Sequence, residues 1–247
     1  MDKGYLIRKL TPSPIRKLKR ILRDRKTLRE FEGLSISEKF NKIYSENWWG
    51  QYRDGTALDF DSGFTSYVDD IVNEYIQAIK KILNENREIQ NVVDIGCGDF
   101  NVGSKIAPLF SRYVGIDVVE SLIERNKKNF QTKFISFECK DITTDNLPST
   151  DLVCVRQVLQ HLSNSDIHKF LNNINGKCKF LLITETMHKS WRFRANKDIK
   201  TGPGVRYHLK SGVVLDAPPF NLSYKQKSLV CEPFFRKEHV VSTLYKF

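Results

Sequence analysis

Nowhere in the 247 residues do about 18 apolar side chains follow one another, so no membrane-crossing helix is expected. The first thirty residues are basic and lack the continuous apolar stretch that a secretory signal needs. The five cysteines (Cys97, Cys139, Cys154, Cys178 and Cys231) form no CxxC pair. Several fall in expected strands, which points to small buried hydrophobes in a reducing cytosol rather than disulfides or zinc. The five histidines are scattered, with neither HExxH nor a Cys/His cluster, and no metal site is expected. There is no internal repeat and no low-complexity tract.

What is present suits one α/β domain with an appendage. The net charge of +11 is unevenly placed: residues 1–30 carry eleven Lys/Arg against three Asp/Glu. The remainder is therefore only +3, which argues against a nucleic-acid substrate spread over the body. Within a leader taken as 1–33, residues 15–30 place Ile15, Leu18, Ile21, Leu22 and Leu28 on one side of a basic helix. Such a helix can lie on anionic lipid or simply pack on the body.

Residues 34–66 should hold a short helix, capped by Ser35 and Glu38, and then a loop with Trp48 and Trp49. In an enzyme this loop would lie next to the cofactor cleft, and those tryptophans, Trp49 above all, either cover a ligand or plug the core edge. From 67 to 247 a single domain is expected. A helix over 67–84 is predicted by Val68, Ile71, Val72, Tyr75, Ile76, Ile79, Ile82 and Leu83. Strands follow near 91–95, 113–117, 134–138, 151–155 and 179–184, with helices near 102–110, 119–129, 157–162 and 164–175. That alternation predicts a parallel sheet covered on both faces. Two last strands, about 227–231 and 240–246, are joined too closely for a crossover and should pair antiparallel.

The chemistry gathers at the strand ends. Strand one runs into VVDIGCG, where Gly96 and Gly98, flanking Cys97, let the backbone turn sharply against a ligand. Gly103 comes five residues after Gly98 instead of three, which argues against a dinucleotide pyrophosphate site. Asp117, followed by Val118, ends strand two and can accept both hydroxyls of a ribose, or merely cap the next helix. Asp141 and Ile142 after strand three suit an adenine amino group and its face. Arg156 and Gln157 sit at the carboxyl end of strand four, where open α/β sheets bind ligands.

The series VVDIGCG, GID, KDI and DLVCVRQVLQHL resembles the class I S-adenosylmethionine (SAM) dependent methyltransferases over roughly residues 67–185. The resemblance implies a Rossmann-like, seven-stranded, mostly parallel sheet with a C-terminal antiparallel hairpin, here with an N-terminal helical extension. It implies SAM as cofactor, leaving as S-adenosylhomocysteine (SAH), without a metal. Gly96 and Gly98 would line its amino-acid portion, Asp117 would hold the ribose, Asp141 and Ile142 would border the adenine, and Asp94 would order the glycine turn. NWWG before this fold and NKDIKTGPGVR…SGVVLDAPPFN after it look like a bacterial subgroup associated with capsule or lipopolysaccharide biosynthesis.

That resemblance implies O-methylation of a surface-polysaccharide component or its nucleotide- or lipid-linked precursor, at a sugar hydroxyl or a phosphate-type group such as a phosphoramidate. The enzyme would be cytoplasmic, held by residues 1–30 near the inner membrane face. A hydroxyl acceptor usually needs a base. His161 is the first candidate, with local hydrogen bonding the plain alternative, and Glu185 and His188 are the others. The long segment 186–221 offers Asn196, Asp198, Arg206, His208 and Ser211 for a sugar or phosphate, Arg206 suiting an anion best. APPF at 217–220 begins with Ala217, which has no acceptor group, so it reads as a turn or lid and not as a base-methylating motif. An RNA or protein methyltransferase, a non-catalytic SAM-binding protein and, last, a nicotinamide oxidoreductase are the alternatives.

Overall fold

The structure, a computed structural model, describes residues 29–49, 59–235 and 238–247. The chain divides into two units, Met1–Ser35 and Ile36–Phe247. Of the first, the described residues are the end of a helix at 29–30 and the turn after it. The rest of the basic helix expected over 15–30 lies outside the described residues.

The second unit opens with α1 (Ile36–Ser45) and α2 (Asp69–Glu85). Residues 71, 72, 75, 78, 79 and 82 of α2 are buried, the stripe that its i, i+3, i+4 pattern predicts. Each of its buried isoleucines is worth about 2 kcal/mol of transfer free energy. Then come β1 (Asn91–Ile95), α3 (Gly103–Ile106), β2 (Arg112–Asp117), α4 (Glu120–Phe130), β3 (Ile135–Cys139), β4 (Thr150–Arg156), α5 (Asn164–Ile174) and β5 (Cys178–Met187). The chain ends in β6 (Gln226–Cys231), the two-residue β7 (Phe234–Phe235) and β8 (Glu238–Lys246).

The strand order is β3-β2-β1-β4-β5-β8-β6, with β7 added beside β8. β1 to β5 pair in parallel, and β8 runs antiparallel to both β5 and β6. This is the expected seven-stranded, mostly parallel α/β sheet with an antiparallel C-terminal end. The reversal in strand order between β1 and β4 opens a crevice at the strands' carboxyl edge, where such sheets bind ligands. One sheet face buries Val92, Tyr113, Phe137, Leu152, Cys154, Phe180 and Leu182 against Tyr75, Ile79 and Ile82 of α2 and Ile123 of α4.

Three expectations need correction. β5 runs to Met187, past the expected end at 184, because β8 supplies partners as far as the pair Met187↔His239. The helix expected over 157–162 is only a three-residue 3-10 turn, Leu159–His161. Gln157 takes a left-handed φ of 58° before it, and Leu162 is extended after it. Of the cysteines, Cys97 and Cys154 are buried, but Cys139 is exposed and Cys178 and Cys231 are half-buried; all five are free thiols.

Candidate active site

A crevice of about 380 Å³ lies at the carboxyl edge of β1, β2 and β4, a size ordinary for a small-molecule site. Trp49, Asp94, Gly96, Cys97, Gly98, Asp117, Val118, Asp141, Ile142, Arg156, Gln157 and His161 all line it. These positions span more than a hundred residues of sequence, and the parallel sheet brings them together because every strand tip points to the same edge.

The turn after β1 is built for close backbone approach. Gly96 and Gly98 have φ of 68° and 54°, which glycine adopts without strain. A Cβ on Gly96 would stand 2.2 Å from Val158 Cγ2, and one on Gly98 would stand 2.2 Å from Ser62 Oγ. The N–H groups of Gly96 and Cys97 both donate to Ile116 O, at 2.8 and 3.0 Å. Asn126, fully buried on α4, donates from Nδ2 to Gly98 O at 2.7 Å.

Asp117 accepts from the N–H of Gly98 and of Val119, both at 3.2 Å. Burial pushes its carboxyl up to about 6, against the pull of those N–H groups. Asp94 stands differently from its expected part. Its carboxylate receives the Tyr113 hydroxyl, and the Gly98 N–H goes to Asp117. Burial also raises Asp94 to about 6. The loop after β3 is fixed by Asp141 Oδ1, which accepts from the Thr143 N–H at 2.8 Å and its hydroxyl at 2.7 Å. Ile142 is buried beside it.

The other wall joins the expected Arg156 and Gln157 to residues of the 34–66 segment that were not singled out from sequence. Arg156 donates to Ser66 Oγ at 3.1 Å and Thr65 O at 2.9 Å, and lies over the Tyr75 ring. Gln157 accepts the Thr65 hydroxyl at 2.6 Å. Residues 62–66 are thus tied onto the tip of β4. Ser62 also accepts the Asp99 N–H at 2.8 Å and meets the Tyr44 hydroxyl. Only the sequence's serine and threonine run gave any signal, and such runs are common in loops. Trp49 sits 5.3 Å from the Tyr44 ring and 4.9 Å from the His161 ring, centroid to centroid. It is placed as a wall of the crevice.

His161 is buried, and its Nδ1 lies 3.2 Å from Gly204 O. A carbonyl only accepts, so Nδ1 carries the proton and Nε2 keeps a lone pair. Gln160 Nε2 is 3.5 Å from that nitrogen. Burial lowers the imidazole to about 4, so at neutral pH it is an uncharged acceptor.

Glu185 and His188 do not enter the crevice. Because β5 is longer than expected, Glu185 is fully buried within the sheet, accepting from the N–H of Leu159 at 2.9 Å and of Gln160 at 3.1 Å. Burial pushes it up to about 8, opposed by Arg206 and by those two N–H groups. His188 lines a second cavity of about 420 Å³ with Met187 and Phe193, its ring 4.8 Å from Tyr207.

Of the expected substrate residues, Arg206 is the clearest correction. It is wholly buried, and its guanidinium is spent on Lys197 O, Leu159 O, Leu162 O and Asn164 Oδ1 at 2.7–3.0 Å. Four of its five N–H groups are used inside the protein, and Arg206 does not line the crevice. Asn196 is buried and knits the segment, donating to Val214 O and Pro218 O and accepting the Val214 N–H. Ser211, fully buried, accepts the Lys197 N–H at 3.0 Å. Asp198 is exposed and caps the start of α5 through the Asn164 N–H at 2.7 Å. His208 alone of the group lines the crevice, with Pro203, Val205 and Tyr207 from the same segment. APPF closes a turn, Phe220 N–H to Ala217 O at 3.1 Å.

The sheet order and a glycine-turn crevice between β1, β2 and β4 define the class I, SAM-dependent methyltransferase fold. Residues 93–179 match the family model described as a methyltransferase domain. That match covers about a third of the chain. A ubiquinone biosynthesis O-methyltransferase of Rickettsia felis is 27% identical over 149 residues, 58% of this chain and 55% of that protein. The chain thus matches about half the length of this curated relative.

Two solved structures share the fold. The N-methyltransferase NodS of Bradyrhizobium japonicum WM9, in complex with SAH, matches at TM-score 0.51 and 17% identity over 70% of this chain and 86% of that one. Magnesium protoporphyrin IX methyltransferase of Synechocystis PCC 6803, with bound SAM, matches at TM-score 0.50 and 15% identity over 87% and 99%. SAM is the expected cofactor, and the site fits it. The glycine cradle is one that a Cβ would fill, and the buried carboxylate of Asp117 and the apolar side chain of Ile142 line the same crevice.

Proposed function

We propose that the chain transfers a methyl group from SAM to a hydroxyl of a small acceptor. The observation that carries the reading is His161: a neutral imidazole whose Nε2 keeps its lone pair, met only by the Gln160 amide at 3.5 Å, in the same crevice as the glycine turn and Asp117. In this reading Gly96, Cys97 and Gly98 approach the amino-acid end of SAM, Asp117 holds the ribose, and Val118, Asp141 and Ile142 enclose the adenine. Arg156, Gln157 and Trp49 close the methyl side. SAM supplies a methyl already activated on a sulfonium. The chain's own work is to orient the acceptor and exclude water. As the acceptor oxygen bonds to the methyl carbon and the sulfur–methyl bond breaks, His161 Nε2 takes the hydroxyl proton. The products are the methylated acceptor and SAH.

For the acceptor, our reading is a surface-polysaccharide component or its nucleotide- or lipid-linked precursor, supported by the similarity of the NWWG and 196–221 segments to the capsule-associated subgroup. The leader 1–33 would hold the domain 67–247 near the inner membrane face, with 34–66 closing the cleft. A phenolic acceptor is the second reading, favoured by the aromatic mouth of Trp48, Trp49, Phe64 and Tyr207 and by the name of the curated relatives. Radiolabelled SAM should be offered with host glycan fractions, nucleotide sugars and phenolic quinone precursors. Label in a base-stable ether of a glycan or sugar nucleotide supports the first reading, and label in a phenol ether the second. SAM binding without label in any fraction overturns transfer.

A further inference from the structure

A second surface adjoins the mouth of the crevice. Residues 188–194 and 207–210 are held side by side: the Arg194 N–H donates to Lys210 O at 3.1 Å, and Lys197 Nζ donates to Leu209 O at 2.7 Å. β7 joins them, with Lys189 Nζ 5.2 Å from the Phe234 ring centre. Three large apolar side chains stand out of this surface: Trp191, 86% exposed, Phe234, 58%, and Leu209, 43%. Around them are Lys189, Arg192, Arg194 and Lys210, all exposed. Among the described residues none of these four cations meets a carboxylate, and Arg192 lies 4.4 Å over the Trp191 ring instead. Next along the chain, Tyr207 and His208 line the crevice itself.

Soluble surfaces seldom gather exposed apolar side chains inside a ring of unneutralised cations. A tryptophan beside arginine and lysine is the pairing that settles at the headgroup level of a bilayer. The geometry points to a docking surface for an anionic phospholipid membrane, with Trp191, Leu209 and Phe234 entering the interface and Lys189, Arg192, Arg194 and Lys210 meeting the headgroups. The surface is built from residues of the domain and not from those of the basic leader. It would turn the mouth of the crevice toward the bilayer. Negative membrane charge alone attracts each such cation appreciably, and the apolar trio adds a term that nucleic acid would not use.

The test uses the full chain with vesicles of phosphatidylcholine alone and of phosphatidylcholine mixed with phosphatidylglycerol, whose anionic headgroups supply the negative surface potential. Binding to the anionic vesicles is expected, at least about tenfold weaker for the triple variant Lys189→Glu, Arg192→Glu, Arg194→Glu. Brominated lipid should quench the emission of the wild-type chain, and Trp191→Phe, a change at an exposed site, should lose most of that quenching. Equal binding by the triple variant would put all the attraction in the leader and overturn the proposal. So would quenching that is unchanged in Trp191→Phe, or an RNA affinity that the triple variant loses while vesicle binding is retained.

Discussion

Replacing Arg206 with methionine separates two roles for one residue. As an anion-binding arginine it would matter to the acceptor alone. In the structure it is buried with four acceptors satisfied by one guanidinium, and it faces the buried carboxylate of Glu185. Methionine fills much of the volume but leaves Leu162 O, Lys197 O and Asn164 Oδ1 without a donor, while Leu159 O keeps the Leu162 N–H. Each buried acceptor left without a donor costs about 1–3 kcal/mol, so the three together cost about 4 kcal/mol. With a urea slope of about 2 kcal/mol/M, the unfolding midpoint should fall by about 2 M with little change in slope. Arg192→Met, at an exposed site, should stay within about 0.5 kcal/mol of wild type. Urea titration followed by circular dichroism measures both. Arg206 also holds the carbonyls on either side of His161, so turnover by the folded variant should fall as well. A midpoint unmoved in Arg206→Met, with only the KM for the acceptor raised, would refute the structural role and restore the substrate one.

Asp117→Ala should weaken SAM binding at least about tenfold by calorimetry, since a single charge-assisted pair is worth about 1.5–3 kcal/mol; unchanged heat would remove Asp117 from the ribose. SAM affinity should also fall as pH drops through about 6, where the Asp117 carboxyl gains a proton. His161→Ala should leave SAM binding intact and slow transfer to hydroxyl acceptors by about 10²-fold or more, and equal turnover would clear it of the base role. Folded His161 takes up a proton less readily than the unfolded chain, its value being near 4 against 6.5. Stability should thus be lost as pH falls from about 6.5 toward 4, and His161→Leu should flatten that part of the pH–Tm profile. Gly96→Ala places a Cβ 2.2 Å from Val158 Cγ2 at a φ of 68° and should abolish measurable SAM binding. Gly176→Ala has a similar φ of 71° in open space and should lower Tm by only a few degrees without touching affinity.

How far the sequence could be read depends on the range of each interaction. The stripe on α2 and the apolar runs of β1, β2, β4 and β5 are local patterns, and each predicts its own element because burial demands it. The parallel topology follows from their alternation. With it comes the meeting of Gly96, Gly98, Asp117, Ile142 and Gln157 at one edge, since parallel strands with crossovers must end on the same side. What local pattern could not decide was the state of a polar side chain whose partners lie far along the chain. Arg206 and Asn196 have the composition of a binding loop, yet their hydrogen bonds go to carbonyls up to 47 residues away. Glu185 looks like a strand-end acid until β8 extends the pairing past it. His161 Nε2 keeps a lone pair only because Gly204, 43 residues on, accepts the proton on Nδ1. A carboxylate, guanidinium or imidazole becomes scaffold or chemistry according to which partners fill its lone pairs and protons, and only the folded chain assigns those partners.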